Sequence, residues 1–254
     1  IRDFVPSRGL GDVYKRQIHA DPNEFSRCLE NVSGRWEDWF SSARRKYLDS
    51  LIAPKQPSMV DMGLVMQYLQ EVLPSDVIIT NGAGNFAVWP NKFYQFAGSS
   101  RLLAPQSGAM GYGVPAAIAA KSAFPNRTVV CFAGDGDFQM TCQELSTAAQ
   151  IGIFPIILIL NNSTYGTIRV HQEKNYPGRV SCTDIVNPDF TSLAESFGFL
   201  GLRVGTTDEF YVAFESALNS ERGAVLDLNV SSESLVPRQS LSDIRKNALN
   251  NQSK

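Results

Sequence analysis

The sequence predicts an α/β fold, a parallel sheet with helices on both faces. Three observations predict it. Short, largely apolar runs at residues 77–80, 128–132 and 155–160 read as buried strands, and 224–230 as a last one. Between them lie segments whose apolar residues recur at helical spacing. Each interval is also long enough for a helix to cross over, as parallel pairing requires.

The elements follow in order. Residues 7–17 read SRGLGDVYKRQ, which resembles the in-frame translation of a sequencing adapter. Residues 1–17 are therefore expected to be an artefact outside the fold, with the native N-terminus missing. Ile18-His19-Ala20-Asp21-Pro22 reads as the end of a strand. A charged, Trp-containing helix is expected over 35–51, then a Pro-marked linker at 53–57. Together 18–57 read as the remnant of a central domain and its linker.

The main domain is expected over 58–230. Ser58 is placed to cap a helix through about residue 73, with Val60, Leu64, Tyr68 and Val72 as its stripe. The first strand follows at 77–80 and a weaker one at 101–103, then a helix over about 109–123. The strand at 128–132 ends on Gly134-Asp135-Gly136. Phe138, Cys142, Leu145 and Ala149 then mark one helix. After the strand at 155–160, Asn187-Pro188 opens a helix facing Phe190, Leu193, Ala194 and Phe197 inward. Thr207 caps another, with Phe210, Ala213, Phe214, Ala217 and Leu218 as its apolar face. The last strand is 224–230, and 231–254 reads as a polar tail.

Composition excludes several classes. Lys and Arg number 23 against 25 Asp and Glu, a net charge of −2, which offers nucleic acid or an anionic membrane no attraction. The longest apolar run, 153–160, contains Pro155 and is too short to span a bilayer. Cys28, Cys131, Cys142 and Cys182 form no CxxC pair, and His19 and His171 are the sole histidines, so neither a zinc site nor a disulfide framework is expected. A cytoplasmic location is expected, although any targeting segment is illegible without the native start.

In open parallel sheets ligands bind beyond the carboxyl ends of the strands. Gly134-Asp135-Gly136 and Asn161-Asn162-Ser163-Thr164 each follow a strand, and 24 residues separate Gly136 from Asn161. That interval holds a helix, a turn and a strand, so Asp135 and Asn162 are expected to face a common space. A carboxylate, a carboxamide oxygen and a nearby backbone carbonyl are hard oxygen ligands suited to Mg²⁺ or Ca²⁺. Gly134 and Gly136 are expected to allow a sharp turn and close approach to a ligand. The helix after them would aim its free N–H groups at the same space. Alone, GDG is a common turn and NN a common loop; together, in strand–loop–helix context, they describe a magnesium–diphosphate cradle.

This pattern resembles that of the thiamine-diphosphate-dependent enzymes. Residues 61–230 are similar to their C-terminal diphosphate-binding domain, and especially to the acetolactate synthase large-subunit group and related 2-oxoacid decarboxylases. The likeness extends to Gly108-Ala109-Met110-Gly111-Tyr112-Gly113-Val114-Pro115 and to Tyr165-Gly166-Thr167-Ile168-Arg169. It implies that Asp135 and Asn162 bind Mg²⁺ through side chains and Thr164 through its carbonyl. Gly134, Gly136, Asp137 and the backbone of Gly166, Thr167 and Ile168 would then line the diphosphate, with Gly108 beside the cofactor. Met110 would prop thiamine diphosphate into its bent shape. Ala83, Asn85 and Phe86 would lie near the diphosphate and substrate side.

The departures concern the substrate. The acetolactate synthase group carries Gln-His where this chain has Asn85-Phe86, and Gln-Trp where it has the 170–173 region. His171 reads as an exposed helix residue before it reads as an acid or base, and Glu144 as structural. The Glu that hydrogen-bonds the aminopyrimidine lies, in this family, on a pyrimidine-binding domain of another subunit. No segment before Asp61 is long enough to be that domain. The resemblance thus implies a parent enzyme, a homodimer or tetramer that decarboxylates a 2-oxoacid and transfers the acyl-anion equivalent, with this chain silent alone. These residues do not decide whether FAD or a regulatory subunit accompanies it.

Two rival readings stand beside this one. Gly82-Ala83-Gly84-Asn85-Phe86-Ala87 fits the GxGxxA dinucleotide fingerprint, yet no acid stands near 102–105 and Pro90 interrupts the helix. The other rival is a non-catalytic cofactor-binding subunit.

Overall fold

The computed structural model describes residues 18–29 and 34–252. The adapter-like stretch lies outside the described residues. The chain forms two compact units, divided between Asp49 and Ser50.

In the first unit, helix α1 (Pro22–Arg27) replaces the expected strand end. Asp21 caps it by accepting the N–H groups of Asn23 and Glu24, and Pro22 opens it. An Asp N-cap followed by Pro is a helix-start signal, and it outweighs the weak apolar pattern of 18–22. Helix α2 spans Glu37–Ser50.

The second unit is a six-stranded, all-parallel sheet. Its strands are β1 (Ile78–Asn81), β2 (Arg101–Leu103), β3 (Val129–Gly134), β4 (Ile156–Asn161), β5 (Leu200–Val204) and β6 (Ala224–Asn229). They lie in the order β2-β1-β3-β4-β6-β5. The helices are α3 (Met62–Val72), α4 (Gly113–Ala123), α5 (Asp135–Gln139), α6 (Glu144–Ile151), α7 (Gly166–Asn175), α8 (Phe190–Ser196), α9 (Thr207–Leu218) and α10 (Leu241–Gln252).

Strand alternation divides the core in two. Ile79, Val130, Phe132, Leu158 and Leu226 face one cluster, shared with α3 and α9. Ile78, Cys131, Ala133, Ile157, Ile159 and Val225 face the other, shared with α4, α6 and α8. The expected fold class is the one formed.

Two helix starts shift: α9 is capped by Thr206, whose side chain accepts the Glu209 N–H, not by Thr207, and α8 begins at Phe190 under an Asp189 cap, not at Asn187-Pro188. Other elements differ too. Helix α3 is capped by Asp61, not Ser58, and buries Met62, Val65, Met66 and Leu69, while Leu64 and Val72 stay exposed. The helix expected over 138–149 breaks after Gln139, because Thr141 Oγ1 turns aside to donate to the Gly111 carbonyl at 2.8 Å. The phase slip buries Ala148 in place of Ala149. Strand β5 went unpredicted: it is an edge strand interrupted by Gly201 and an exposed Arg203, so it has no apolar run. Finally, the polar tail contains α10, whose Leu241 and Ile244 bury against Val170 of α7 and Leu235.

Candidate functional site

Leaving β1 the chain runs to β2 on one side, and β3 returns on the other. Strand order reverses there, which is where open α/β sheets leave a crevice. A cleft opens at this point. It is lined by Ala83, Asn85 and Phe86 beyond β1, by Met110 before α4, and by Gly134, Asp135, Gly136 and Asp137 at the end of β3. Asn162, Thr164, Gly166, Thr167 and Ile168, beyond β4, complete it, joined by Gly84, Leu160 and Tyr165. Of the residues predicted for the site, Gly108 does not line the cleft; it sits in the preceding loop at φ +67°. Met110 is 38% exposed, so it forms wall and not core. His171 is exposed on α7.

The glycines act through their missing side chains. Gly134 has φ −79°, open to any residue. A Cβ there would meet the Phe86 ring at 2.8 Å, and one on Gly136 would meet the Tyr165 ring at 2.5 Å. These positions admit aromatic neighbours, and neither glycine takes a positive φ. Helix α5 is also only five residues long, so the long helix whose N-terminus reaches the cleft is α7. No side chain caps α7, and its first residues, Gly166, Thr167 and Ile168, are cleft wall. Its leading N–H groups are the ones an anion would meet.

Asp135 is 3% exposed. Burial pushes its carboxyl upward, opposed by hydrogen bonds from Asn187 and from the Gly136 and Ser163 backbone. Gly136 N–H donates to Oδ1 at 2.9 Å and Asn187 Nδ2 to Oδ2 at 2.8 Å. Asn162 Oδ1 accepts the Thr164 N–H at 3.0 Å. Asp137 is as buried and differently employed. Its Oδ1 accepts the N–H groups of Gly111 and Ala83, at 2.9 and 3.1 Å. Burial pushes its carboxyl up to about 6.

Among the described residues no group of three or more His, Cys, Asp or Glu is placed to hold a metal ion. A metal in this cleft would instead meet the mixed oxygen set of Asp135, Asn162 and the Thr164 carbonyl. Such oxygens suit Mg²⁺, which keeps part of its shell for water and phosphate. Asn85 fits an anionic ligand. Its Oδ1 accepts from Thr167 Oγ1 at 3.0 Å, but its Nδ2 is buried without a partner. A buried donor left unmatched is costly, and a phosphate oxygen would satisfy it.

Two members of the polar networks around the cleft elements escaped sequence reasoning. Asn187 read only as a helix opener, and Glu173 not at all. Glu173, 1% exposed on α7, binds Arg245 of α10 through both carboxylate oxygens at 2.8 and 2.6 Å. It also accepts from Arg169 at 3.1 Å and from the Gly178 N–H at 2.9 Å. Arg245 foremost holds its carboxyl down at about 2. No local signal marks either residue, because each acquires its partners through the fold.

Fold and cleft together define a doubly wound α/β domain with its cleft at the strand-order switch. Residues 82–228 match the family model described as thiamine pyrophosphate enzyme, C-terminal TPP binding domain. The chain belongs to that family. It is 36% identical over 236 residues to the acetolactate synthase large subunit of Buchnera aphidicola subsp. Schizaphis graminum, covering 91% of this chain and 41% of that protein. Against the same subunit of Haemophilus influenzae it is 44% identical over 147 residues, covering 57% and 25%. Among solved structures, the Rhodococcus jostii RHA1 thiamine diphosphate-dependent 4-hydroxybenzoylformate decarboxylase superposes with a TM-score of 0.63 at 30% identity, covering 70% of this chain and 34% of that one. The chain thus spans well under half the length of the relatives it matches. Among the described residues no helix is long and apolar enough to cross a membrane.

Proposed function

We propose that residues 58–230 bind thiamine diphosphate through Mg²⁺ held by the side chains of Asp135 and Asn162 and the carbonyl of Thr164. The whole protein, on this reading, is an acetolactate-synthase-like enzyme of the lyase and transferase type. The carrying observation is the meeting, at neighbouring strand ends, of two amide and carboxylate oxygen donors with a buried, unmatched Asn85 Nδ2. When bound, thiamine diphosphate supplies a thiazolium carbanion for attack on a 2-oxoacid carbonyl and a sink for the electrons left by CO₂. This chain's residues bind and orient: Asp135 and Asn162 fix the metal, Asn85 and the start of α7 donate to the diphosphate, and Met110 supports the bend.

No Glu lines the cleft among the described residues. The group that activates the aminopyrimidine is therefore assigned to a pyrimidine-binding domain of another subunit, in a homodimer or tetramer. This chain alone is expected to bind without turning over, and the assembled enzyme to act on a 2-oxoacid in the cytoplasm. The test is calorimetric titration of thiamine diphosphate with and without Mg²⁺. Mg²⁺-dependent binding that Asp135→Ala abolishes is expected; retained affinity in that variant overturns the metal assignment.

A further inference from the structure

We propose that Asn187 is the positioning residue of the metal site, fixing the Asp135 carboxylate from the strap that crosses the metal loop. The inference rests on the Mg²⁺–thiamine diphosphate reading above and adds to it a residue outside the cleft wall.

The strap is the irregular segment between α7 and α8. It is pinned along the loop after β4: Tyr165 N–H and Thr164 Oγ1 both donate to the Thr183 carbonyl at 2.8 Å, and Ile185 N–H donates to the Ser163 carbonyl at 2.9 Å. Beyond it Phe190 is fully buried, edge-on to Phe138 with centroids 5.4 Å apart. Both ends of the segment are thus fixed, and Asn187 is held between them.

Its carboxamide is used at both ends. Oδ1 accepts from Gln139 Nε2 at 2.8 Å, and the Asp135 carboxylate, which only accepts, takes the amide's N–H end. Nδ2 therefore faces two acceptors, Asp135 Oδ2 at 2.8 Å and Asn161 Oδ1 at 2.9 Å. Asn161 Nδ2 in turn donates to Asp227 Oδ1 at 2.9 Å. Two buried carboxylates on β6 and at the end of β3 are thereby joined by two amides. Asp135 Oδ1 is held by its own loop and Oδ2 by Asn187, so the carboxylate plane is set before any cation arrives. Partners that orient a metal ligand commonly change metal affinity by about 10–100-fold when removed.

The experiment titrates Mn²⁺, followed by its EPR signal, into the full chain at saturating thiamine diphosphate, for wild type, Asn187→Leu and Asn187→Ala. The apo melting temperature is measured alongside. Asn187→Leu keeps the shape and removes the donors. The expected result is a Mn²⁺ Kd weakened about ten-fold or more, a folded apo variant whose melting temperature falls by no more than several degrees, and full cofactor occupancy restored by excess metal. Should Asn187→Leu unfold, Asn187→Ala carries the same expectation. Unchanged Mn²⁺ affinity in a folded variant overturns the inference and leaves the proposed function standing. A lowered melting temperature with loss of binding that excess metal does not restore makes Asn187 structural, and also overturns it. Failure of the wild type to bind Mn²⁺ and thiamine diphosphate together overturns the proposed function itself.

Discussion

The Asp137 carboxylate and the Gly111 N–H stand 2.9 Å apart, joining the end of β3 to the loop that carries Met110. The same oxygen holds Ala83 N–H at 3.1 Å, so one side chain sets the distance between two walls of the cleft. Gly82 completes the arrangement, because a Cβ there would strike that carboxylate.

Asp137→Ala leaves both N–H groups without their acceptor. An unmatched buried donor costs about 1–3 kcal/mol, so the melting temperature should fall by several degrees. Gly82→Ala should destabilise by a similar ~1–3 kcal/mol, through overlap instead of loss. Thermal denaturation of the two variants checks both, and Gly82→Ala as stable as wild type would contradict the contact.

Asp137 also predicts a pH dependence. Its folded carboxyl titrates at about 6, raised from 3.8 by burial, so the folded state holds the proton more tightly than the unfolded. The contribution is fully present below the unfolded value and is lost as pH rises through the folded one. The ligand-free chain should lose about 1–3 kcal/mol through this group between acid and neutral pH. Urea unfolding across that range should show the loss, and Asp137→Asn should flatten it.

Asn85→Asp tests the unmatched donor. The change keeps an acceptor for Thr167 Oγ1 but replaces the buried Nδ2 with an oxygen and adds a negative charge. Thiamine diphosphate affinity should weaken about ten-fold or more, worth ~1.4 kcal/mol. Equal affinity for wild type and variant, by calorimetry, would remove Asn85 from the diphosphate site.

Arg245→Ala strips buried Glu173 of its bidentate partner and leaves Arg169. Removing one member of a buried pair is strongly destabilising, and with Arg245 39% exposed the expected cost is about 2 kcal/mol. Arg245→Lys should recover only part, since an ammonium does not match the two-pronged carboxylate contact. Protease sensitivity near residue 240 should rise in Arg245→Ala as α10 loses its hold on α7.

The readable parts of the fold were those with local signals. Strands β3 and β4 are continuous apolar runs because both faces of a central parallel strand are buried, and β6 departs from this only at Asp227 and its terminal Asn229. Edge strand β5 carries Gly201 and a half-exposed pattern, so nothing local announced it. On α3 the helical period was legible but its buried face was not: several apolar residues compete, and the sheet chose Val65, Met66 and Leu69 over Leu64 and Val72. Helix α10 is polar over most of its length; Leu241 and Ile244, the Arg245–Glu173 ion pair, and hydrogen bonds from Ser242 to Glu233 and from Gln252 to Asn175 tie it down.

The candidate site divides the same way. Gly134-Asp135-Gly136 and Asn161-Asn162 stand at the ends of predicted strands, and the crossover interval alone implies neighbouring strand ends. Asp137, expected to line the diphosphate, lines the cleft, and its carboxylate also binds two backbone loops, which nothing local announces.

What the sequence by itself determined is the periodicity of each buried strand and the oxygen-rich loops that terminate them, since both are written in consecutive residues. The tertiary structure alone decided the pairings: Asn187 with Asp135 across 52 positions, and Arg245 with Glu173 across 72. Such contacts depend on where the sheet order and the helix phases bring distant side chains, and a polar residue gives no local sign of the partner it will meet. The apolar pattern fixes layers because burial is non-directional, whereas hydrogen bonds and ion pairs need distances and angles that exist only after the layers have packed.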